Sequence, residues 1–262
     1  MKLIKRLLVA VVFIPIILFL FYKGNITFII FLSALSLIMS FEFRNMLKSQ
    51  NIIIPLLTIP VNVIIFILLI KYSYSLVFPI FLLLLIIISG YDILRNRIEG
   101  SLVRIASVMF GILYTSFLLS SVYKLRELPQ GNILLVSLIA LIWLTDSAAF
   151  FIGSHFGKHK GIFKASPNKS AEGFAAGIIS AILFSLVLYI GQIVSLEQAI
   201  MLAVSVGLFG QFGDIFESML KRDMGVKDSS NFLPGHGGIL DRFDSLLIAA
   251  PVLYLLLIIF AK

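Results

Sequence analysis

The chain has 262 residues, of which 60% are apolar and only 13% are charged, with a net charge of +8 and no cysteine. Soluble domains contain about 25% charged residues, and a mean hydropathy of +1.09 indicates that lipid is the solvent for most of this chain. A soluble enzyme, a disordered tail and a disulfide scaffold are excluded, and so is thiolate chemistry.

Nine apolar segments are long enough, or nearly so, to cross a bilayer as helices, which takes roughly 20 residues each. We therefore expect an all-α, polytopic integral membrane protein with about nine transmembrane helices. The first segment has no small-x-small cleavage site behind it, so we interpret it as a retained span. In chain order the segments cover residues 7–22, 26–43, 52–70, 72–91, 105–123, 133–152, 173–194, 199–218 and 243–261.

The distribution of lysine and arginine predicts the orientation of these spans. With the N-terminus inside, sixteen of the 21 basic residues fall in inside segments and five in outside segments. This asymmetry favours a cytoplasmic N-terminus by the positive-inside rule. It also accounts for the positive net charge without a nucleic acid partner.

Polar residues divide the chain into two regions. Residues 1–130 contain apolar spans and short basic loops, so we interpret them as a transmembrane scaffold. Residues 131–262 contain most of the acidic residues and form the predicted catalytic region. Its two glycine-rich cytoplasmic loops, 153–172 and 221–242, are long for a compact bundle, and such loops are usually functional.

Carboxylates from three predicted helices meet at one level of the membrane. Asp146 lies roughly 20 Å into the sixth span at 1.5 Å per residue, and an ionisable group at that depth indicates a functional site. Asp214 lies near the cytoplasmic end of the eighth span. Asp241 and Asp244 share one face where the ninth span begins on the same side.

Each acidic residue also has a purely structural interpretation. An aspartate near a helix end is often a cap or a snorkelling surface charge. We expect Glu217 to pair with Lys221 one turn later along the eighth span. Asp223 and Glu172 are expected to be solvated loop charges.

The segment 153–158 resembles a phosphate-binding loop without matching it. It is one residue short of G-x-x-x-x-G-K-[ST], and His159 replaces the hydroxyl residue, so the motif fails as a Walker sequence. The glycines and lysines suit phosphate contact and membrane-surface binding equally well.

One segment of 28 residues, from Ser218 to Ser245, has a dense pattern of polar residues. It begins with S-x-x-K-R, which is followed after four further residues by K-D. The pattern P-x-H-G-G-x-x-D-R-x-D then completes it. This segment closely resembles the signature of the phosphatidate cytidylyltransferases, also called CDP-diacylglycerol synthases, with no departure from it. Asp146, Gly153, residues 156–158, residues 166–170 and residues 172–173 resemble the second polar block of that family.

The resemblance implies transfer of a cytidylyl group from CTP to phosphatidate, giving CDP-diacylglycerol and pyrophosphate in phospholipid biosynthesis, with magnesium required. Attack of a phosphate oxygen on the α-phosphorus brings two anions together, so carboxylate-bound metal and fixed cations are needed. The expected partners are CTP, phosphatidate and membrane lipids, and a homodimer is left open. We expect a bacterial inner membrane, with the active site facing the cytoplasm.

Three groups of candidate site residues suit this chemistry. The metal-ligand candidates are carboxylates, because magnesium accepts oxygen ligands while keeping several waters: Asp214, Asp241 and Asp244, with Asp146 and Asp228 behind them. The candidate phosphate-binding cations are Lys221, Arg222, Lys227 and Arg242. Gly235, Gly237 and Gly238 would let backbone amides approach a phosphate, and Lys158 and Lys169 are further nucleotide-binding candidates. His236 would bind a phosphate, donate a proton to pyrophosphate, or order the loop.

Three other functions remain as alternatives. A transporter also uses intramembrane carboxylates, but it predicts polar residues spread through the membrane, often with repeat symmetry. A CTP-dependent lipid kinase would share part of the C-terminal motif and transfer the γ-phosphoryl group. A CDP-alcohol phosphotransferase has an upstream D-G-x-x-A-R motif that is missing here, and a different spacing of its final aspartates.

Overall fold

The computed structural model describes residues 15–72, 74–232 and 237–260. The described residues form helices and turns. Among them, one isolated antiparallel β-bridge joins Lys160 to Ser170. The prediction of an all-α membrane protein is confirmed. Apolar segments in lipid fold as helices because a helix satisfies its own backbone hydrogen-bonding groups.

The helices are numbered here in chain order. They are α1 (described over residues 15–23), α2 (Asn25–Ser49), α3 (Thr58–Tyr72), α4 (Val77–Leu94), α5 (Ser101–Glu127), α6 (Gly131–Phe156), α7 (Ala171–Ile190), α8 (Leu196–Asp223) and α9 (Leu240–Phe260). Seven of them, α2 and α4 to α9, are long and apolar enough to cross a membrane. Helix α3 has only 15 residues and the start of α1 is outside the described residues, so a count of nine spans stays a prediction.

The two long polar loops are shorter than predicted. Helix α6 continues to Phe156 and α7 begins at Ala171, while α8 continues to Asp223 and α9 begins at Leu240. The connections are therefore residues 157–170 and 224–239. Of the polar residues that extend these helices, Lys221 is buried, whereas Ser154, His155, Arg222 and Asp223 are exposed.

Buried polar side chains join the helices of the N-terminal half. The Ser36 and Ser116 hydroxyls lie 2.9 Å apart between α2 and α5. The side-chain amide of Asn62 on α3 donates to the Thr115 hydroxyl at 2.8 Å and its oxygen accepts from Ser116. Thr115 and Ser116 lie in a π-helical turn, Leu113–Phe117. In a bilayer, such interhelical hydrogen bonds favour association of the helices.

One end of the bundle, called here the polar end, is formed by the 157–170 and 224–239 connections with the end of α2. Arg222 Nε donates to the Ala165 carbonyl at 3.4 Å, which joins the end of α8 to the 157–170 connection. The Ser49 hydroxyl donates to the Met224 carbonyl at 2.7 Å, which joins α2 to them. At the opposite end, Arg126 donates to the last carbonyls of α1.

We predict that the polar end faces the cytoplasm. Because the chain has no cysteine, single introduced thiols report the orientation directly. Lys164 at the polar end and Glu197 at the opposite end are both exposed. In intact cells an impermeant maleimide should label the Glu197→Cys variant, and it should label the Lys164→Cys variant only after permeabilisation. The reverse pattern would overturn the predicted orientation.

Candidate active site

A cavity of about 590 Å³ lies at the polar end between α6, α7, α8 and α9. Its walls include all five aspartates predicted as metal ligands: Asp146, Asp214, Asp228, Asp241 and Asp244. Lys169, Lys221 and Arg242 line it as well. Another cavity, of about 530 Å³, lies between the α2–α3 and α4–α5 connections and contains none of the predicted site residues. The aspartate-lined cavity is therefore the candidate active site.

Asp241 organises the connection between α8 and α9. Its side chain is 5% exposed and accepts hydrogen bonds from Lys221 Nζ at 2.5 Å and from Gly238 N at 2.7 Å. The backbone N–H and the hydroxyl of Ser229 donate to it as well, both at 3.0 Å. Gly237 has φ of +79°, and a Cβ there would lie 2.6 Å from Asp241 Oδ2, so glycine suits this position. Both oxygens of Asp241 thus already accept hydrogen bonds from this chain.

Lys221 lies between two carboxylates. It forms ion pairs with Asp241 and, along α8, with Glu217. The expected pairing of Glu217 with Lys221 is confirmed. The Glu217 side chain is fully buried, and a buried charge needs such a partner. Lys221 therefore joins α8 to the start of α9 beneath the cavity.

Asp146, Asp214 and Asp244 bring three negative charges to the cavity from three helices. All three carboxyl groups line the same cavity. Lys169 Nζ lies 2.7 Å from Asp214 Oδ2 and offsets part of that charge. Asp244 accepts a hydrogen bond from the neighbouring Ser245 N–H. This cluster favours a bound cation.

Close contact between α6 and α7 shapes the wall beside Asp146. A Cβ on Gly173 would lie 2.7 Å from the Ala149 carbonyl oxygen, so the two backbones touch. Ser170 begins α7, and its hydroxyl accepts from Gly173 N–H at 3.1 Å, which caps the helix. The cap fixes the neighbouring Lys169 at the mouth of the cavity.

The structure does not bring every predicted residue to the cavity. Lys158, Arg222 and Lys227 are exposed and are absent from the cavity lining. Arg222 also donates to the Val226 carbonyl at 3.1 Å. Gly235 and His236 lie outside the described residues.

Glu172 and Asp223 were expected to be solvated loop charges; Asp223 is exposed as expected, but neither residue is in a loop. Glu172 is in the first turn of α7, and its carboxylate lies 2.6 Å from the His159 ring Nδ1. Asp223 is the last residue of α8. A carboxylate near a helix N-terminus is stabilised by the helix dipole, which explains why Glu172 begins a helix.

The carboxylate oxygens of the cavity suit magnesium only if waters and substrate phosphates supply its other ligands. Within the described part of the chain, no three or more His, Cys, Asp or Glu side chains are grouped closely enough to hold a metal ion. Magnesium usually keeps several waters and binds one or two carboxylates together with substrate phosphates. Asp146, Asp214 and Asp244 suit that mode.

Sequence reasoning missed Glu42. This residue of α2 is 1% exposed, and its carboxylate accepts hydrogen bonds from the backbone N–H groups of Ile239 and Leu240 at 2.8 and 2.7 Å. A charged residue near the end of the second apolar span was a usable signal, because such residues are costly in lipid unless they have partners. The N-terminal region is therefore not bare of polar contacts to the signature segment.

Comparisons with known proteins identify the family of the chain. The model of the family described as "Cytidylyltransferase family" matches residues 4–260. A Bacillus subtilis protein named phosphatidate cytidylyltransferase is 34% identical over 271 residues, covering 98% of each chain. Proteins with the same name from Staphylococcus aureus (strain COL) and Staphylococcus epidermidis are 37% and 36% identical, covering 97% of each chain. The chain belongs to the cytidylyltransferase family.

Proposed function

We propose that this nucleotidyltransferase moves a cytidylyl group from CTP to phosphatidate and releases CDP-diacylglycerol and pyrophosphate. The observation that carries the proposal is the match over 97% or more of the chain to relatives named phosphatidate cytidylyltransferase. The cavity supports it, since carboxylates and cations line one space between four helices. Joining two phosphate-bearing anions requires that combination.

The location of the cavity suits one soluble and one lipid substrate. We propose that it opens at the cytoplasmic surface of a bacterial inner membrane, where CTP arrives from water and the phosphatidate headgroup lies at the interface. Phe150 lines the cavity and is 77% exposed, so apolar surface adjoins the polar groups. A phospholipid substrate needs both kinds of surface.

The residues of this chain would act by positioning and charge neutralisation. Arg242 is proposed to bind phosphate with the paired N–H geometry of a guanidinium, and Lys169 to add a second positive charge at the mouth. Phosphatidate is already an anion near neutral pH, so no general base is required. Asp241 and Lys221 would hold the start of α9, and with it Arg242 and Asp244, in place.

Magnesium is the proposed cofactor. Asp214 and Asp244 would hold it, with Asp146 nearby, and it would supply positive charge to the phosphates of CTP. Asp241 is not proposed as a metal ligand, because both of its oxygens accept hydrogen bonds from this chain.

The reaction is tested by product analysis. Purified protein incubated with CTP, phosphatidate and magnesium should yield CDP-diacylglycerol and pyrophosphate in equal amounts, because the proposed attack is at the α-phosphorus. Lipid chromatography and a pyrophosphate assay measure both products. Release of CDP with phosphorylation of a lipid alcohol would reject the proposal in favour of a lipid kinase.

We further propose direct in-line displacement without a cytidylyl-enzyme intermediate. The anionic lipid phosphate can attack directly, so bringing the two substrates together suffices. Labelled pyrophosphate should therefore not enter CTP when the enzyme is stripped of lipid, and exchange should begin when phosphatidate is added. Robust exchange without lipid would indicate a covalent nucleophile, and His236 would be the first residue to test.

A further inference from the structure

We propose that Glu42 is a positioning residue of the active site, although it lies on α2 in the N-terminal region. The role deepens the proposed cytidylyl transfer and rests on it. Glu42 is not among the residues that line the cavity. Its influence would pass through the segment that connects α8 to α9.

Four donors of the signature segment lie within hydrogen-bond distance of the Glu42 carboxylate, and one of them, the Ser229 hydroxyl, shares its single proton with Asp241. Oε1 accepts from the Ser230 hydroxyl at 2.6 Å and from Ile239 N–H at 2.8 Å. Oε2 accepts from the Ser229 hydroxyl at 3.1 Å and from Leu240 N–H at 2.7 Å. All four donors are neutral groups. Glu42 thus joins both ends of the 229–240 segment at one point.

Two of these bonds satisfy N–H groups at the start of α9. The first N–H groups of a helix lack partners within it, and negative charge is stabilised there by the helix dipole. A cap usually comes from the residue next to the helix, whereas Glu42 is 198 positions away from Leu240. A side chain of α2 therefore caps the start of α9.

The hydroxyl of Ser229 connects Glu42 to the catalytic centre. It lies 3.1 Å from Glu42 Oε2 and 3.0 Å from Asp241 Oδ2. Asp241 in turn binds Lys221. A Cβ on Gly238 would clash with both the Ser229 hydroxyl and the Glu42 carboxylate, so this part of the segment packs directly against Glu42. A shift of the carboxylate would therefore shift Asp241.

The first five residues of α9 include Asp241, Arg242 and Asp244, which all line the cavity. Displacement of groups by about 1 Å can lower turnover about a hundredfold even when the changed residue is remote from the chemistry. Loss of the Glu42 bonds should therefore reduce turnover without removing any group that contacts substrate.

The test compares Glu42→Gln with Glu127→Gln, the same chemical change at an exposed site at the opposite end. Glutamine at position 42 has only one acceptor oxygen. Its NH₂ group would face two of the hydrogen-bond donors and could not accept from them. We expect Glu42→Gln to lower kcat about a hundredfold while the protein stays folded. Hydrogen–deuterium exchange of the full-length protein should accelerate at residues 226–245 and stay unchanged in α6 and α7. Glu127→Gln should match the wild type in both measurements.

The proposal would be overturned if residues 226–245 of Glu42→Gln exchanged at the wild-type rate. It would also be overturned if the activity of this variant fell only in proportion to the fraction of folded protein. If Glu42→Gln fails to fold, Ser230→Ala removes a single donor and takes its place. Unchanged turnover together with unchanged exchange in Ser230→Ala would also overturn it. The exchange measurement needs no turnover, so it separates failure of this role from failure of the proposed reaction.

Discussion

Replacing Asp241 with asparagine should lower turnover by at least about a hundredfold, the scale of losing one charge-stabilising group in an active site. The amide would turn an NH₂ group toward either Lys221 or Gly238 N–H, both of which donate to the aspartate. Lys221 would keep only Glu217 as its ion-pair partner. The start of α9 would lose its ion pair with α8.

Steady-state assays at several magnesium concentrations check this expectation. Because the loss arises from the protein's own hydrogen bonds, added magnesium should not restore Asp241→Asn. Asp223→Asn is the matched control, since Asp223 ends α8, the helix of Lys221, and is exposed, and it should retain near-normal turnover. Turnover of Asp241→Asn within threefold of wild type would show that these bonds are dispensable.

Asp244→Asn should also reduce turnover by at least about a hundredfold, for a different reason. Asp244 accepts from the N–H of its neighbour Ser245 and lines the same cavity as Asp214 and Asp146. Asparagine keeps the size of the side chain but removes the charge that favours a cation. The remaining activity should need more magnesium than the wild type.

The two variants therefore separate two kinds of aspartate. Magnesium titration should shift the half-saturating concentration upward in Asp244→Asn and leave it unchanged in Asp241→Asn. A wild-type magnesium response and turnover in Asp244→Asn would remove Asp244 from the proposed metal site. A magnesium shift confined to Asp241→Asn would reverse the assignment of the two residues.

The sequence was sufficient for the properties that depend on local pattern. Apolar run length predicted the all-α membrane class, and helical spacing placed Asp214, Asp241 and Asp244 at one level, where all three line one cavity. The pairing of Glu217 with Lys221 was predictable because the two residues are one helical turn apart.

Long-range partners were not predictable in the same way. Asp241 was expected to offer free oxygens to a metal, but the donors from Ser229 and Gly238 depend on how the 224–239 connection folds back. Lys169 and Asp214 meet across 45 positions. Such contacts depend on helix packing, for which a single sequence offers no periodic signal.

The wide separation of Glu42 from its donors has a consequence for biogenesis. Its partners follow it by 187 to 198 positions, so at ribosomal elongation rates the carboxylate waits about 10 to 40 s for them. A buried carboxylate without partners is costly, so α2 should rest near the membrane surface, hydrated, until the last helix docks. The catalytic centre is then the final part of the molecule to assemble, and a nascent chain that stops before α9 displays an unmatched charge that distinguishes it from the finished protein.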